Sequence, residues 1–115
     1  MERLKGKKQI EQMFLSGDTL REGPLRLVFY KTGATNRVGV SVSKKNFKSA
    51  VDRNKIKRLL RVAAENHFLH FFKHLESKHS LMVLYVGREM PNSAELDKQF
   101  KLMVGRFNKK VINEI

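Results

Sequence analysis

The residues best placed to do chemistry lie between Lys44 and Arg61, where eight basic residues stand with one acid, Asp52. Read as a helix, this stretch puts Asn54, Lys57, Arg58 and Arg61 at i, i+3, i+4 and i+7, on one face. Ile56, Leu59, Leu60 and Ala63 share roughly the opposite side. Arg53 falls at the border of that apolar stripe, and Lys44, Lys45 and Lys48 add charge just before the helix. Arg61 meets Lys57 and Arg58 at neighbour spacing, so each like-charged pair repels by roughly a few tenths of a kcal/mol. Phosphates would reverse that sign. Arginine grips them with a two-pronged donor set, while asparagine can bond a base edge or a 2′-hydroxyl.

Two blander readings compete. Most charge runs are solvated faces, but here acids do not alternate with the cations, and a free helix N-terminus adds anion affinity. A basic membrane-surface helix would need bulky apolar residues exposed opposite its charges. Here that face is needed for a core. The whole chain carries 24 Lys and Arg against 11 acids, a formal charge of +13. That excess costs stability through self-repulsion, and a polyanionic partner would offset it. Nucleic acid is the favoured partner.

Other chemistries find little support. There are no cysteines, which removes disulfides, thiolate nucleophiles and cysteine metal sites together. The carboxylates are scattered, with no convincing metal spacing, no Gly-rich phosphate loop and no nucleophile, base and orienter set. His67, His70 and His74 fall on one helical face, but the stretch lacks the general-base Glu of a zinc helix. A mixed apolar and polar face is the preferred reading, with Phe68, Phe71 and Phe72 packed or partly exposed. No metal ligand is assigned. The expectation is a chain that performs no chemistry alone.

The elements that must hold this helix are legible as periodicities. At 115 residues the chain, 1–115, makes one domain. Ile10, Met13 and Phe14 mark a short helix over Gln9 to Ser16, with Gly17 as its C-cap. Leu25 to Tyr30 alternates as a strand behind Pro24, and Val38 to Ser43 alternates again. The two read as an antiparallel hairpin around residues 31–37. A weaker extended stretch spans Asp18 to Gly23. Ser49 opens the basic helix with Asp52 in a capping box, and its pattern runs to about Leu75. Leu81 to Val86 is nearly all apolar, as for a strand buried on both faces. Pro91 to Ser93 turns into a last helix with Leu96, Phe100, Val104, Phe107 and Val111 at intervals of three or four. The order αβββαβα predicts an α+β fold, a small α/β sandwich with helices on a mixed sheet. No run of 18 apolar residues and no signal-peptide core appear, so a cytoplasmic protein without membrane contact is expected.

The string Ala50-Val51-Asp52-Arg53-Asn54-Lys55-Ile56-Lys57-Arg58-Leu59-Leu60-Arg61 resembles the signature of the bacterial ribonuclease P protein subunit. That signature runs Ala-Val, a variable residue, Arg-Asn-Arg, an aliphatic, Lys-Arg, two positions and Arg. Val38 to Lys45 resembles the strand and lysines that lead into it, and length, charge and element order agree over nearly the whole chain. Lys55 stands where the family usually has Arg; charge is kept but the fork is lost. The segment Asn66 to His79 is longer than usual.

The resemblance implies a left-handed βαβ crossover, where the general rule predicts a right-handed one. It implies a protein that binds a large catalytic RNA and helps remove the 5′ leader of precursor tRNA, inactive alone, with one protein per RNA. Mg²⁺ would be held mainly by the RNA, and none tightly by the protein. By match, Arg53, Asn54, Lys55, Lys57, Arg58 and Arg61 would face the RNA, with Lys44, Lys45 and Lys48 nearby. A cleft for the single-stranded leader would use Phe14, Val28, Tyr30, Ser41 and Lys57, with bases stacked on aromatics. Ile10 stands where relatives often carry a second aromatic, and Phe14 alone reads equally well as core. A basic structural protein of the ribosome is the alternative. A DNA-binding regulator is weaker, because no helix-turn-helix spacing is apparent.

Overall fold

Alternating and 3.6-period apolar patterns become a five-stranded sheet and two long helices in the computed structural model, which describes residues 2–3, 17–32, 36–73 and 78–113. The elements are β1 (Glu2–Arg3), β2 (Asp18–Glu22), β3 (Leu25–Thr32), β4 (Arg37–Val42), α1 (Ala50–Lys73), β5 (Lys78–Tyr85) and α2 (Ser93–Asn113). The sheet order is β1-β4-β5-β3-β2. The short helix expected over Gln9 to Ser16, including Phe14, lies outside the described residues.

The hairpin is not where alternation placed it. β3 and β4 do not pair; β5 lies between them, antiparallel to β3 from Leu25↔Tyr85 to Thr32↔Lys78 and parallel to β4 from Arg37↔Ser80 to Val42↔Tyr85. The physical reason is burial. Leu81 to Tyr85 is apolar on both sides, so it needs a paired, covered position, which only the sheet interior supplies. The weak extended stretch is the true hairpin partner: β2 pairs antiparallel with β3, Glu22↔Leu25, around Gly23 and Pro24. Gly23 has φ +56°, which L side chains rarely adopt, and a Cβ there would come within 2.9 Å of Gln99 Oε1. Consecutive parallel strands β4 and β5 are joined through α1, giving the expected mixed α+β sheet.

Period two divides the sheet into two faces. Leu25, Leu27 and Phe29 of β3, Leu81, Val83 and Tyr85 of β5, and Val38 and Val42 of β4 belong to the core under the helices. From α1 that core takes Ile56, Leu60, Ala63, Ala64 and Phe68, and from α2 Leu96, Phe100, Met103, Phe107 and Val111. Phe107 is its hub. Its ring meets Phe29 edge-on at 4.9 Å, Phe68 at 6.0 Å and His79 at 5.4 Å. On the opposite face Val28 and Met82 form a second buried cluster with Tyr30 and Leu84 half-buried against it.

Both helices start on side-chain caps. Ser49 Oγ accepts the Asp52 N–H at 3.4 Å, one half of the expected box; the reciprocal bond from Asp52 does not form among the described residues. Asn92 Oδ1 accepts the Glu95 N–H at 2.8 Å and caps α2. The Tyr85 hydroxyl donates to the Glu89 carbonyl at 2.7 Å and ties down the approach to α2. Burial, with Glu89 and Glu95 nearby, raises its pKa above the ordinary phenol value and keeps it a donor.

Phe107→Ala should cost about 3–5 kcal/mol in denaturant unfolding, because three ring contacts and a filled space are lost together. Leu102→Ala, at a position 52% exposed on the same helix, should stay within about 0.5 kcal/mol.

Candidate nucleic-acid interface

Burial fixes the rotation of α1, and the rotation decides where its cations point. At about 100° per residue, Ile56, Leu60, Ala63, Ala64 and Phe68 mark the buried side. Asn54, Arg58 and Arg61 are exposed on the far side, as the helical spacing predicts, and Lys55 is exposed beside them. Lys57 is half-buried on one flank, the one away from α2, rather than at the centre of the exposed face. Among the described residues, Lys55, Lys57, Arg58 and Arg61 make no ion pair. Asn54, Arg58, Arg61, Val62 and Glu65 line a shallow concavity of about 470 Å³.

Arg53 behaves differently from its neighbours. Its Nη1 donates to the carbonyls of Phe47 at 2.8 Å and Lys48 at 2.9 Å. The side chain therefore folds back along the helix and clasps the segment that precedes it. Asn46 holds the same segment from the other end, donating to the carbonyls of Val86 at 3.2 Å and Gly87 at 3.3 Å. Phe47 is buried against Tyr85, with ring centroids 6.0 Å apart. A Phe47 N–H to Ser43 carbonyl bond of 3.0 Å closes the turn. Lys44, Lys45 and Lys48 are all exposed on this pinned loop, beside the first turn of α1. Sequence reading missed Asn46 and Phe47 as positioning residues. The signal was present: a lone phenylalanine in a lysine-rich loop needs a core to enter.

The expected leader-cleft residues separate by element. Val28, Tyr30 and Ser41 lie on the sheet face turned away from α1 and α2. Val28 is buried, Tyr30 and Ser41 half-buried. The registers Tyr30↔Ser80↔Arg37 and Arg26↔Leu84↔Ser41 place Tyr30 and Ser41 two strands and four residues apart, roughly 16 Å. They bracket a strip, not a point. Met82 and Leu84 floor it, and exposed Arg26 stands beside Ser41 across Leu84; the sequence reading named none of these three. Lys57 comes from α1, which packs on the other face. Phe14 lies outside the described residues.

His67 is committed to packing. Its Nε2 lies 2.6 Å from Asp97 Oδ1 across the α1–α2 boundary, and its ring stacks on Phe100 at 6.2 Å. Among the described residues no three His, Cys, Asp or Glu side chains converge on a metal-sized site. No described helix is long and apolar enough to cross a membrane.

A buried stripe, an outward row of cations and a strand-and-lysine lead-in thus occupy one mixed α+β frame. The family model for ribonuclease P matches residues 1–108. The chain belongs to the ribonuclease P protein family. It is 43% identical over 67 residues to the ribonuclease P protein component of Porphyromonas gingivalis W83, covering 54% of this chain and 48% of that protein. The match therefore spans about half the length of that curated relative. The fold is similar to that of the Staphylococcus aureus RNase P protein, with a TM-score of 0.74 at 19% identity over 92% of this chain and 94% of that one. It is similar again to the Thermotoga maritima RNase P protein, with a TM-score of 0.75 at 20% identity over 92% and 97% of the two chains.

Within the signature helix, Arg53 and Arg58 should respond oppositely to truncation. Arg53→Ala should lower unfolding stability by roughly 1–3 kcal/mol, through two lost charge-assisted bonds. Arg58→Ala should leave stability within about 0.5 kcal/mol. Equal effects in urea titrations would contradict the clasp.

Proposed function

We propose that this chain is the protein subunit of ribonuclease P. It binds the catalytic RNA through α1 and the Lys44–Lys48 loop, and holds the 5′ leader of precursor tRNA across the outer sheet face. It thereby assists endonucleolytic removal of the leader to give the mature tRNA 5′ end. The observation that carries this reading is the outward row of Asn54, Lys55, Arg58 and Arg61, held by the helix that bears the family's signature. A rigid helix spares the backbone's ordering cost, so that only the cationic side chains are ordered when they meet phosphate.

The hydrolytic step is assigned to the RNA. The ions of the working enzyme are assigned mainly to RNA phosphates, with none held tightly by this protein, as the family resemblance implies. What the protein supplies is binding. Cations hold the backbone, Tyr30 offers a stacking surface, and Met82 and Leu84 give unpaired bases an apolar floor. The stoichiometry is one protein per RNA, and a partner of this kind locates the complex in the cytoplasm. The alternative, a structural ribosomal protein, would use the same basic helix but would not affect leader cleavage.

Reconstitution with a bacterial ribonuclease P RNA at low Mg²⁺ should raise the rate of leader removal; a rate indifferent to the protein would refute the assignment. Arg58→Ala should weaken RNA binding and flatten the plot of log affinity against log salt by roughly one unit per lost phosphate contact.

Tyr30→Ala should weaken binding of leader-bearing tRNA by about 1–3 kcal/mol per stacked base and leave mature tRNA unaffected. Equal losses on both substrates would assign Tyr30 to sheet packing alone.

A further inference from the structure

A second concavity adjoins the basic face. It lies between α1 and the first turn of α2, with a volume of about 430 Å³. Leu59, Val62, Ala63 and Leu96 make its walls apolar. Arg58 and Asn66 stand two helical turns apart along its α1 side, roughly 12 Å. We propose that this groove receives one unstacked base of the bound RNA, and that it favours a base carrying an exocyclic amino group. The inference rests on the reading of α1 as an RNA-binding helix.

Three observations carry it. The first is continuity. Arg58 and Val62 line both this groove and the basic concavity that holds Asn54 and Arg61. A phosphate chain following the cations passes the groove's mouth, with Arg58 placed to hold the phosphate of the nucleotide that turns in.

The second is the exposure of apolar surface on a cationic face. Val62 is 54% exposed although it stands one turn from Arg58 and beside Arg61. The core does not use it, and solvation alone would favour a polar side chain there. A base needs such a wall, since its faces are apolar and its charge lies one sugar away, on the phosphate.

The third is the polar edge. Asp97 lines the groove, and one of its carboxylate oxygens is held by His67 at 2.6 Å while the side chain stays 63% exposed. His67 is in turn stacked on Phe100. The carboxylate is thus fixed and keeps acceptor capacity toward the groove. A carboxylate accepts from the amino groups of cytosine, adenine and guanine, whereas uracil offers it a single N3–H flanked by two carbonyls that repel it. On the same side the Ser93 and Ala94 amides occupy the first turn of α2, where helical N–H groups have no intrahelical acceptor. Asn92 satisfies the Glu95 and Leu96 amides behind them.

The test uses methyl NMR of the full chain titrated with the four nucleoside 5′-monophosphates. The Val62, Leu59 and Ala63 methyls should shift, with CMP, GMP and AMP about fivefold tighter than UMP. Ala94→Trp, which fills the groove without removing a charge, should abolish these shifts. It should weaken binding of ribonuclease P RNA about tenfold while leaving the salt slope unchanged, because no phosphate contact is lost. If Ala94→Trp fails to fold, Val62→Ser is read the same way. Groove methyls that stay still while Arg58 and Arg61 resonances move would overturn the pocket. So would a groove-filled variant that binds RNA as the parent does. Equal shifts with all four nucleotides would overturn the base preference. Arg61→Ala distinguishes the deeper failure: if it changes neither affinity nor slope, the basic face is not the RNA surface.

Discussion

Everything in this molecule turns on the rotation of one helix. Burial of Ile56, Leu60 and Phe68 stabilises by roughly 1.5–3 kcal/mol for each large side chain. Repulsion between Arg58 and Arg61, or between Lys57 and Arg61, costs only roughly a few tenths of a kcal/mol per pair. Packing wins by an order of magnitude. The helix is therefore fixed in direction, and its cations Lys55, Lys57, Arg58 and Arg61 make no ion pair among the described residues, although Glu65 shares the concavity of Arg58 and Arg61. A helix free to roll would bury its charge or spread it; this one cannot, because α2 and β4 grip its other sides.

The sheet makes the second surface by the same strands that make the core. In β3, Phe29 points under the helices while Val28 and Tyr30 point away. In β5, Val83 and Met82 part in the same manner. A slip of one residue would exchange the two sets and put Phe29 outside. The central place of β5, apolar on both sides, guards against that slip, since it is paired along both edges over six residues or more. Core and outer strip are thus coupled: what keeps Phe29 under Phe107 also keeps Tyr30 outside.

What could be read from the sequence was what local periodicity encodes. The basic helix, its Ser49 cap, the doubly buried strand and the apolar rhythm of the last helix all appear near where alternation and spacing put them. Strand partners did not. Alternation marks Leu25 to Tyr30 and Val38 to Ser43 as strands but carries nothing about which edge each will use, and adjacency in the chain suggested a hairpin that β5 interrupts. Phe68, read as packed or partly exposed, is fully buried because α2 crosses over it, a contact no local pattern announces. The hand of the crossover is likewise nothing that local periodicity encodes; the left-handed form is what the family resemblance implies, where the general rule expects the right-handed one. Asn46 escaped notice for a related reason: its acceptors, at Val86 and Gly87, are forty residues away in the chain.

The signature itself mixes two kinds of residue that spacing does not separate. Arg53 and Arg58 are both arginines on the same helix, and both match the family's string. Five residues apart, they differ by about 140° around the axis. That turn carries Arg53 into the border of the buried stripe, where two backbone carbonyls lie within reach, and leaves Arg58 facing solvent. The first is therefore bonded to the end of the loop that carries Lys44, Lys45 and Lys48, and the second is left open to solvent. A lysine at position 53 would keep the charge, but its chain is one bond shorter and its ammonium rotates freely, where Arg53 now holds a single Nη1 in plane between two carbonyls. Lys55, on the exposed side, faces no such demand; it needs only to present charge. The same substitution of Arg by Lys is thus tolerable at one position of the motif and costly two positions away, and the reason lies in the geometry of the acceptors.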